Sequence, residues 1–506
     1  MRRMGTTMEE KSFWLKGTIF LTLAGLLSKV LGMIYRVPLQ NMAGDEGLYV
    51  YQQIYPFLSI ALMLSIYSFP SAIAEVTSSH KQRKNPSGIL FLFFIFGIIL
   101  FTIIFSMSEK IALWMGDVQL SPSIRLAGGM FLLIPLTAYF RGVLQGLERT
   151  KYVALSQIIE QFIRVVFIIL FTVFIVFGSE SVYLLGSYAA LATMLGTIGA
   201  AIFLFIIYKK YTANERFIFP SKKIVQSLLI GSIIYSLTYL LHLLLQFVDV
   251  FTMVNQLQAF GFSFEMAKGE KGIYDRGHAL IQLGLVLGSS LALALIPALQ
   301  KSKGHIEWDE QLALKVTYTL SLPATVGLIV IMPLLNPLLY ENNDGTYALQ
   351  IMMLLVFLLS FVILFSVLLG RHQNRITQLI WIAVMVGLKM AFNILFIPNY
   401  GIVGASLASV IAVSFLFIIF FVMWKIKANS KLDVAFLMKG IIASIIMGLS
   451  VYFTRYGLSS VIDYDNRFQL LFIVLLLCVI GVIVYSVLMI ILRMFSKVEL
   501  QQLFRR

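Results

Sequence analysis

Long apolar stretches alternate with short polar segments along the whole chain. Fourteen of these stretches hold about 20 residues with few charges, and each is long enough to cross a hydrocarbon core of roughly 30 Å as an α-helix. No ten-residue alternating pattern argues for the strands of a β-barrel. The pattern therefore predicts an all-α integral membrane protein with 14 transmembrane helices. The spans are 13–35, 48–76, 88–107, 123–143, 152–178, 182–207, 224–249, 277–300, 312–333, 346–369, 377–397, 403–424, 435–455 and 468–493.

Composition agrees with a membrane protein. Of the 506 residues, 59% are hydrophobic and only 12% are charged, which is more apolar surface than a soluble domain carries. The only cysteine, Cys478, lies in an apolar stretch, which excludes an intrachain disulfide and suggests no thiolate metal site. The N-terminus mimics a secretory signal, but the stretch 13–35 is long enough to span and lacks a small-residue cleavage site. We therefore expect this stretch to be the first transmembrane helix.

Lysine and arginine are distributed unevenly between the two sides of these spans. One side carries 24 of them and the other at most 8. Because cytoplasmic loops of membrane proteins are enriched in these residues, both termini are predicted to be cytoplasmic. The formal net charge of +15 is then mostly a topology signal, and nucleic-acid binding is not needed to explain it.

A degraded repeat divides the chain. The segment RGVLQGLERTKYVALSQIIEQFIR (141–164) returns roughly 225 residues later as LLGRHQNRITQLIWIAVMVGLK (368–389). Six helices per copy is an even number, so both copies insert the same way round and form parallel lobes around a central cavity. The predicted domains are a cytoplasmic N-terminus (1–12), an N-lobe (13–207), a cytoplasmic linker (208–223), a C-lobe (224–424), a two-helix appendage (435–493) and a cytoplasmic tail (494–506).

Ionisable side chains inside the spans are candidates for function, because a charge near the bilayer centre costs roughly 2.5–3.5 kcal/mol on insertion scales. Lys29 and Arg36 lie seven residues apart, hence on nearly one face of the first helix. They either snorkel to the outer headgroups or line a cavity for an anionic substrate such as a diphosphate. A second group lies near predicted cytoplasmic ends and is expected at the interface: Lys16, Glu75, Arg141 and Lys315.

Two further cations, Arg164 and Lys389, occupy equivalent places in the repeat. Glu160 and Arg164 lie four residues apart, a spacing that permits an intrahelical ion pair or a role in coupling. Lys389 corresponds to Arg164 but has no acid on its own helix, so it must face water or find a partner elsewhere. Asn393, one turn later, shares its face.

The seventh and eighth helices carry the remaining candidates. His242, Gln246 and Asp249 form one polar stripe, which is either solvated at its outer end or a counter-ion, proton or sodium site. Arg276, flanked by Asp275 and His278, either adds to the cations of the cavity or belongs to an external loop over about 250–276.

Motifs for enzymatic chemistry are absent. The sequence contains no GxxxxGK[ST] phosphate-binding loop, no HExxH and no cluster of histidine and cysteine. Asp463 and Asp465 form a DxD in a short outer loop, where a solvated turn is simpler to account for than the metal clamp of a sugar transferase. No metal and no cofactor are expected.

The segments RGVLQG with SQIIEQFIR, IPNYGIVGASLAS (397–409), SKVLGMIYRVP (28–38) and ALALIPAL (292–299) resemble the polysaccharide-exporter branch of the multidrug/oligosaccharidyl-lipid/polysaccharide exporter superfamily. Within that branch they resemble MurJ-like and stage V sporulation protein B-like flippases. The resemblance implies two six-helix lobes around a V-shaped cavity, two additional helices and no cofactor. It also implies basic residues on helices one, two and eight that meet a lipid diphosphate. The matching positions are Lys29, Arg36 and Arg276, whereas helix two carries no basic residue here.

These observations predict a flippase, not an enzyme, in the cytoplasmic membrane of a bacterium. It would move an undecaprenyl-diphosphate-linked saccharide, such as peptidoglycan lipid II or another surface polysaccharide precursor, by alternating access. We expect a monomer in contact with membrane lipid, and the coupling ion stays open. The alternatives are a cation-coupled multidrug exporter of the same superfamily and a membrane glycosyltransferase. The predicted substrate-binding cations are Lys29, Arg36, Arg276 and Lys389.

Overall fold

The computed structural model describes residues 35–79, 88–212, 222–299, 306–370, 375–428 and 433–496 except 461 and 465, together with Leu27, Leu31, Gly32 and Glu499. Within these ranges the chain is helical apart from short connections, and no strand is present. Most of the first predicted span, including Lys29, lies outside the described residues.

The helices follow one another in a simple order, which we number along the chain. They are α1 Arg36–Met63, α2 Phe69–Ser79, α3 Gly88–Trp114, α4 Ser121–Gly128, α5 Met130–Gly146, α6 Thr150–Phe177, α7 Leu184–Tyr211, α8 Lys222–Ala259, α9 Phe264–Leu299, α10 Ile306–Tyr340, α11 Thr346–Gly370, α12 Arg375–Ala428, α13 Val434–Gly457 and α14 Arg467–Ile491. A π-helical segment, Leu64–Ser68, joins α1 to α2, and a 3₁₀ turn, Val118–Leu120, precedes α4.

The predicted spans from 48–76 onwards coincide with these helices. Eleven helical stretches of the described residues are long and apolar enough to cross a membrane by length and composition. Their outward faces carry large exposed apolar side chains, for example Phe468 and Phe472 on α14, as lipid contact requires. The count of 14 spans and the cytoplasmic termini stay predictions.

Two helices are broken at a glycine. Gly44 in α1 (φ 70°, ψ −175°) and Gly401 in α12 (φ 56°, ψ −139°) adopt conformations that side chains with a Cβ rarely tolerate. Without a break, the 54 residues of α12 would extend about 80 Å, more than twice the thickness of a bilayer core. The break at Gly401 confirms the predicted separation of span 377–397 from span 403–424.

The long outer loop predicted over about 250–276 is wrong. α8 continues to Ala259 and α9 begins at Phe264, so only residues 260–263 connect them. The charges that suggested a loop bond one another along α9. Lys271 Nζ lies 2.5 Å from an oxygen of Asp275, and Lys268 Nζ lies 2.7 Å from Glu265 Oε2. Spacings of three and four residues make such pairs possible within a helix.

The chain forms two compact units, Met1–Asn255 and Gln256–Arg506, so the division falls inside α8. The predicted linker (208–223) lies partly outside the described residues, and the predicted lobe boundaries stay predictions.

The RGVLQG motif has a packing role in the first unit. Gly142 and Gly146 lie four residues apart on α5 and face α2. A Cβ on Gly142 would lie 2.5 Å from Cβ of Ile73, and one on Gly146 would lie 2.6 Å from Cβ of Thr77. Small residues at this spacing let two membrane helices approach closely. The motif therefore brings α5 against α2 and places the neighbouring Arg141 in the interior.

Replacing Gly142 with alanine is expected to destabilise the first unit. The added methyl group collides with Cβ of Ile73, which cannot move without its helix, and overpacking of this kind costs about 1–3 kcal/mol. Thermal unfolding of the detergent-solubilised protein measures the effect. Gly387→Ala is the matched control, because that glycine lies on α12 and nothing lies within 4 Å of its Cβ position. Equal melting temperatures for Gly142→Ala and wild type would contradict the packing role.

The second unit contains an aromatic cavity of about 330 Å³ between α10, α11, α12 and α13. Its walls include Tyr318, Phe357 and Trp424. At its edge Lys315 Nζ lies 2.9 Å from Glu499 Oε1 and 3.5 Å from Asp433 Oδ2. Lys315 thus connects α10 to the start of α13 and to the segment after α14.

Candidate functional site

Arg36, the first residue of α1, is buried in the first unit with 1% of its surface exposed. Its guanidinium carbon lies 4.4 Å from the ring centre of Tyr55, a distance typical of a cation–π contact. Tyr35 and Tyr51 pack edge to face beside it and share a hydrogen bond between their hydroxyls. The Tyr35 hydroxyl lies near the guanidinium group, but none of the three guanidinium nitrogens makes a hydrogen bond of normal geometry to the described residues. This burial argues against snorkelling to the headgroups.

Arg164 lies in the same polar region. Its Nη2 donates to Gln161 Oε1 at 2.5 Å, and its Nε has no partner among the described residues. The guanidinium groups of Arg36 and Arg164 both lie close enough to Tyr51 to act on its hydroxyl electrostatically. Gly32, one turn before Arg36, would place a Cβ 2.7 Å from Gln161 Nε2 and 3.7 Å from Arg164 Nη2. Two arginines with no carboxylate bonded to them in the described part of the chain therefore share one region of the first unit.

The predicted ion pair between Glu160 and Arg164 is wrong. Glu160 Oε2 accepts from Arg141 Nη2 at 2.7 Å, and Glu160 Oε1 accepts from Thr197 Oγ1 at 2.7 Å. Spacing along α6 permits the local pair, but close packing of α5 brings another arginine to the same carboxylate. Glu160 therefore joins three helices, and Arg164 keeps its charge uncompensated by that acid.

Arg141 is also not at the membrane interface, where the sequence placed it. Its side chain is fully buried, and it bonds Ser156 through Nε at 3.0 Å and Ser65 Oγ through Nη1 at 2.9 Å. The same Nη1 donates to the Ser65 carbonyl at 3.3 Å. Ser65 lies in the π-helical segment, where the wider turn disturbs the regular hydrogen bonds of an α-helix. Arg141 thus holds the irregular turn of one helix and the buried acid of another.

The polar stripe on α8 is buried in the first unit. His242, Gln246 and Asp249 are at most 9% exposed, so the solvated position considered for Asp249 is wrong. Gln246 Nε2 lies 2.7 Å from His242 Nε2. Because an amide nitrogen can only donate, the imidazole nitrogen accepts this hydrogen bond. Arg36 is close enough to act on His242 electrostatically, which places the stripe beside the tyrosines.

In the second unit, Arg276 lies within α9 and not in an external loop. Its side chain is fully buried, and Nη1 donates to Asn342 Oδ1 at 2.7 Å and to Asn336 Oδ1 at 3.3 Å. Asp275 and His278 are buried on the same helix. These amide oxygens orient the guanidinium group.

Lys389 is fully buried on α12. Its ammonium donates to Asn393 Oδ1 at 2.9 Å, to Ser409 Oγ at 2.6 Å and to the Ala405 carbonyl at 3.1 Å. The predicted proximity of Lys389 and Asn393 on one helix face is confirmed. The ring centre of Tyr274 on α9 lies 5.9 Å from the ammonium. Three uncharged oxygens thus position this cation.

The candidates divide between the two units. The first unit holds Arg36, Arg164, Glu160, His242, Gln246 and Asp249, and the second holds Arg276, Lys389 and Asn393. Lys29 lies outside the described residues. Among the residues the structure describes, no group of three or more histidine, cysteine, aspartate or glutamate side chains could hold a metal ion. Asp463 is described but Asp465 is not, so the DxD interpretation stays untested.

Sequence reasoning missed the tyrosines around Arg36. Tyr35, Tyr51 and Tyr55 lie in apolar stretches, where an aromatic residue is more often part of the core than of a site. The available signal was the spacing of Tyr51 and Tyr55, four residues apart and hence on one face of α1.

Comparison with known proteins gives a consistent family. The family described as polysaccharide biosynthesis protein matches residues 14–303. The uncharacterized membrane protein YabM of Bacillus subtilis is 34% identical over 85% of this chain and 83% of its own length. The lipid II flippase MurJ of the same organism is 24% identical over 93% of this chain and 94% of its own. Stage V sporulation protein B, also from B. subtilis, is 26% identical over 39% and 40%.

Solved structures share the fold. Lipid II flippase MurJ in an inward closed conformation superposes with a TM-score of 0.71 at 16% identity and covers 94% of this chain and 99% of that one. An inward-facing multidrug resistance MATE family transporter of the MOP superfamily reaches 0.63 at 16% identity over 79% and 94%. The resemblance found in the sequence is thereby confirmed. This multi-pass membrane protein belongs to the polysaccharide biosynthesis protein family.

Proposed function

We propose that this protein flips an undecaprenyl-diphosphate-linked saccharide across the cytoplasmic membrane by alternating access. The observation that carries the proposal is the pair of buried arginines in the first unit. Arg36 has no hydrogen-bond partner for any guanidinium nitrogen, and Arg164 has none for Nε, among the described residues.

The cost of these arginines supports an anionic ligand. Buried polar groups in folded proteins nearly always find partners, and a buried cation without one is strongly unfavourable. A diphosphate offers several acceptor oxygens and negative charge, and guanidinium groups bind such oxygens with short, charge-assisted hydrogen bonds. Neutralising the diphosphate also lowers the cost of moving it through an apolar interior. Arg36 and Arg164 would therefore gain partners and charge balance on binding.

We assign Arg276 and Lys389 as candidate substrate-binding cations of the second unit. Both are buried and positioned by uncharged oxygens, and a buried cation favours an anionic ligand. Lys29, which lies outside the described residues, stays a predicted substrate-binding cation on the basis of the sequence. His242, Gln246 and Asp249 are the candidates for ion coupling, because all three are buried on α8 and His242 is close enough to Arg36 to interact electrostatically.

The cation-coupled drug exporter fits less well. Among the described residues, seven lysine and arginine side chains are buried against five aspartate and glutamate side chains. A cavity for organic cations favours the opposite balance. The buried polar stripe of His242, Gln246 and Asp249 is the feature that favours this candidate. A glycosyltransferase would need a substantial outer segment with catalytic acids, and the connection between α8 and α9 is too short to supply one.

Purified protein in liposomes tests the proposal directly. Undecaprenyl diphosphate carrying N-acetylglucosamine is incorporated into both leaflets, and a water-soluble galactosyltransferase labels only the sugar that reaches the outer leaflet. With the protein present, we expect the labelled fraction of the lipid-linked sugar to approach roughly 100% as inner-leaflet lipid moves outward. Without the protein, labelling should stop once the lipid that started in the outer leaflet has been used. Transport of a lipophilic organic cation without movement of the lipid would favour the drug exporter. Sugar transfer by the purified protein itself would favour the glycosyltransferase.

A further inference from the structure

Near Arg36, an amide oxygen and a hydroxyl group also lack partners. Gln40 Oε1 and Ser59 Oγ are buried and make no hydrogen bond to the described residues. Gln40 lies one turn after Arg36, and Ser59 lies one turn after Tyr55, so each shares a helix face with a residue of the Arg36–Tyr55 contact. A ligand bound at Arg36 would therefore extend past one or both of them.

The orientation of the Gln40 amide is fixed by its neighbour. Gln40 Nε2 lies 3.1 Å from Asp45 Oδ1, and a carboxylate oxygen can only accept a hydrogen bond. The amide nitrogen must therefore face Asp45, and the atom left without a partner among the described residues is the carbonyl oxygen. This oxygen requires a donor.

The donor requirement separates the parts of a ligand. Phosphate oxygens that are ionised accept hydrogen bonds and cannot satisfy Gln40 Oε1. Sugar hydroxyl groups and acetamido N–H groups can donate to it. Arg36 has the opposite need, since a guanidinium group only donates. One head group that satisfies both is a diphosphate esterified to a sugar.

We propose that Gln40 recognises the sugar next to the diphosphate, so that the first unit selects a glycosyl diphosphate over a bare diphosphate. Contacts of Tyr35 with Tyr51 and of Arg36 with Tyr55 require that the chain doubles back after the break at Gly44. The turns leading to Gln40 and to Ser59 then run in opposite directions from the arginine, so the sugar next to the diphosphate reaches only one of them. Ser59 Oγ can donate to a phosphate oxygen, whereas Gln40 Oε1 needs a donor, so the sugar is assigned to Gln40. This inference rests on the proposed function.

Binding measurements in nanodiscs test the division of roles. The probes are radiolabelled undecaprenyl diphosphate and the same lipid carrying N-acetylglucosamine. We expect the wild-type protein to bind the glycosyl lipid at least about fivefold more tightly, as one or two neutral hydrogen bonds allow. The variant Gln40→Leu should reduce this preference to within about twofold and leave binding of the bare diphosphate unchanged. Gln40→Ala is measured beside it, so that misfolding of one variant does not remove the test.

Gln53→Leu is the matched control. Gln53 is a buried amide on α1 whose carbonyl oxygen also lacks a partner among the described residues, but it lies two residues from Tyr55 and hence on the opposite face. It should keep the wild-type preference. A wild-type protein without preference, or a preference that survives in both Gln40 variants, overturns the sugar assignment.

Two further measurements test the phosphate contact and the competition by a lipid of the bilayer. Arg36→Ala should weaken the binding of both lipids alike. If this variant binds both lipids as the wild type does, the diphosphate site is excluded, whereas the sugar assignment is decided by the Gln40 variants. Phosphatidylglycerol also combines a phosphate with hydroxyl groups, so the nanodiscs are prepared with and without it. An unchanged preference supports the glycosyl diphosphate, and a preference abolished by phosphatidylglycerol overturns it.

Discussion

Alanine at position 36 is expected to reduce lipid translocation by at least about 100-fold while leaving a folded protein in the membrane. The wild-type guanidinium would make at least two charge-assisted hydrogen bonds to the diphosphate, and each contributes roughly 1.5–3 kcal/mol. Because no group in the described part of the chain is bonded to these nitrogens, their removal leaves no buried partner unsatisfied. The liposome assay with galactosyltransferase labelling measures the rate, and gel filtration in detergent checks the fold.

Two substitutions serve as controls for Arg36→Ala. Arg36→Lys keeps the charge but loses the planar fork and most of the contact with the Tyr55 ring, so we expect an intermediate rate, roughly tenfold below wild type. Arg125→Ala removes an arginine of the same unit that is exposed and paired with Glu109, and it should translocate lipid normally. Normal translocation by Arg36→Ala would exclude this arginine from the substrate path.

Replacing Glu160 with alanine is expected to have the largest effect on stability. Arg141 and Glu160 are both almost fully buried and their charged atoms lie 2.7 Å apart. Removal of the carboxylate leaves the guanidinium buried beside an irregular helical turn, and breaking such a pair costs about 3–5 kcal/mol. The melting temperature of the detergent-solubilised protein should fall by roughly 5–15 °C.

An exposed ion pair provides the comparison for Glu160. Glu109 is paired with Arg125 at 2.5 Å, but their side chains are 72% and 41% exposed. Solvent screens such pairs, so Glu109→Ala should change stability by less than about 1 kcal/mol. The double variant Arg141→Met/Glu160→Leu removes both charges and should recover most of the loss. If Glu160→Ala melts like Glu109→Ala, the buried pair does not stabilise the first unit.

The membrane-spanning architecture could be predicted because each span is a local property of the sequence. Twenty apolar residues form a helix in lipid whatever lies beside them, and the break at Gly401 follows from an apolar stretch twice the required length. The prediction of a loop around Lys271 and Asp275 was wrong, and the reason is also local. Its density of charge is typical of a loop, and only the spacing of opposite charges indicates that a helix can neutralise them.

The site could be predicted only in part, because packing between helices decides which buried side chains bond one another. Arg36 and Lys389 were found from the cost of a charge in an apolar span. The partner of Glu160 was not, since spacing along α6 points to Arg164 while the tertiary contact is with Arg141. Gln40 carries no charge and gave no signal, because uncharged polar residues in membrane helices usually bond their own backbone.

The π-helical segment Leu64–Ser68 also affects how this chain should be aligned with its relatives. A π turn corresponds to one extra residue within an otherwise continuous helix. A homologue with a regular helix here would present the same faces with one residue fewer between Tyr55 and Pro70. An alignment that omits this gap shifts every position of α1 or α2 by about 100° around the helix axis, and conservation scores for Tyr51, Tyr55 and Ser59 would then be assigned to the wrong side chains.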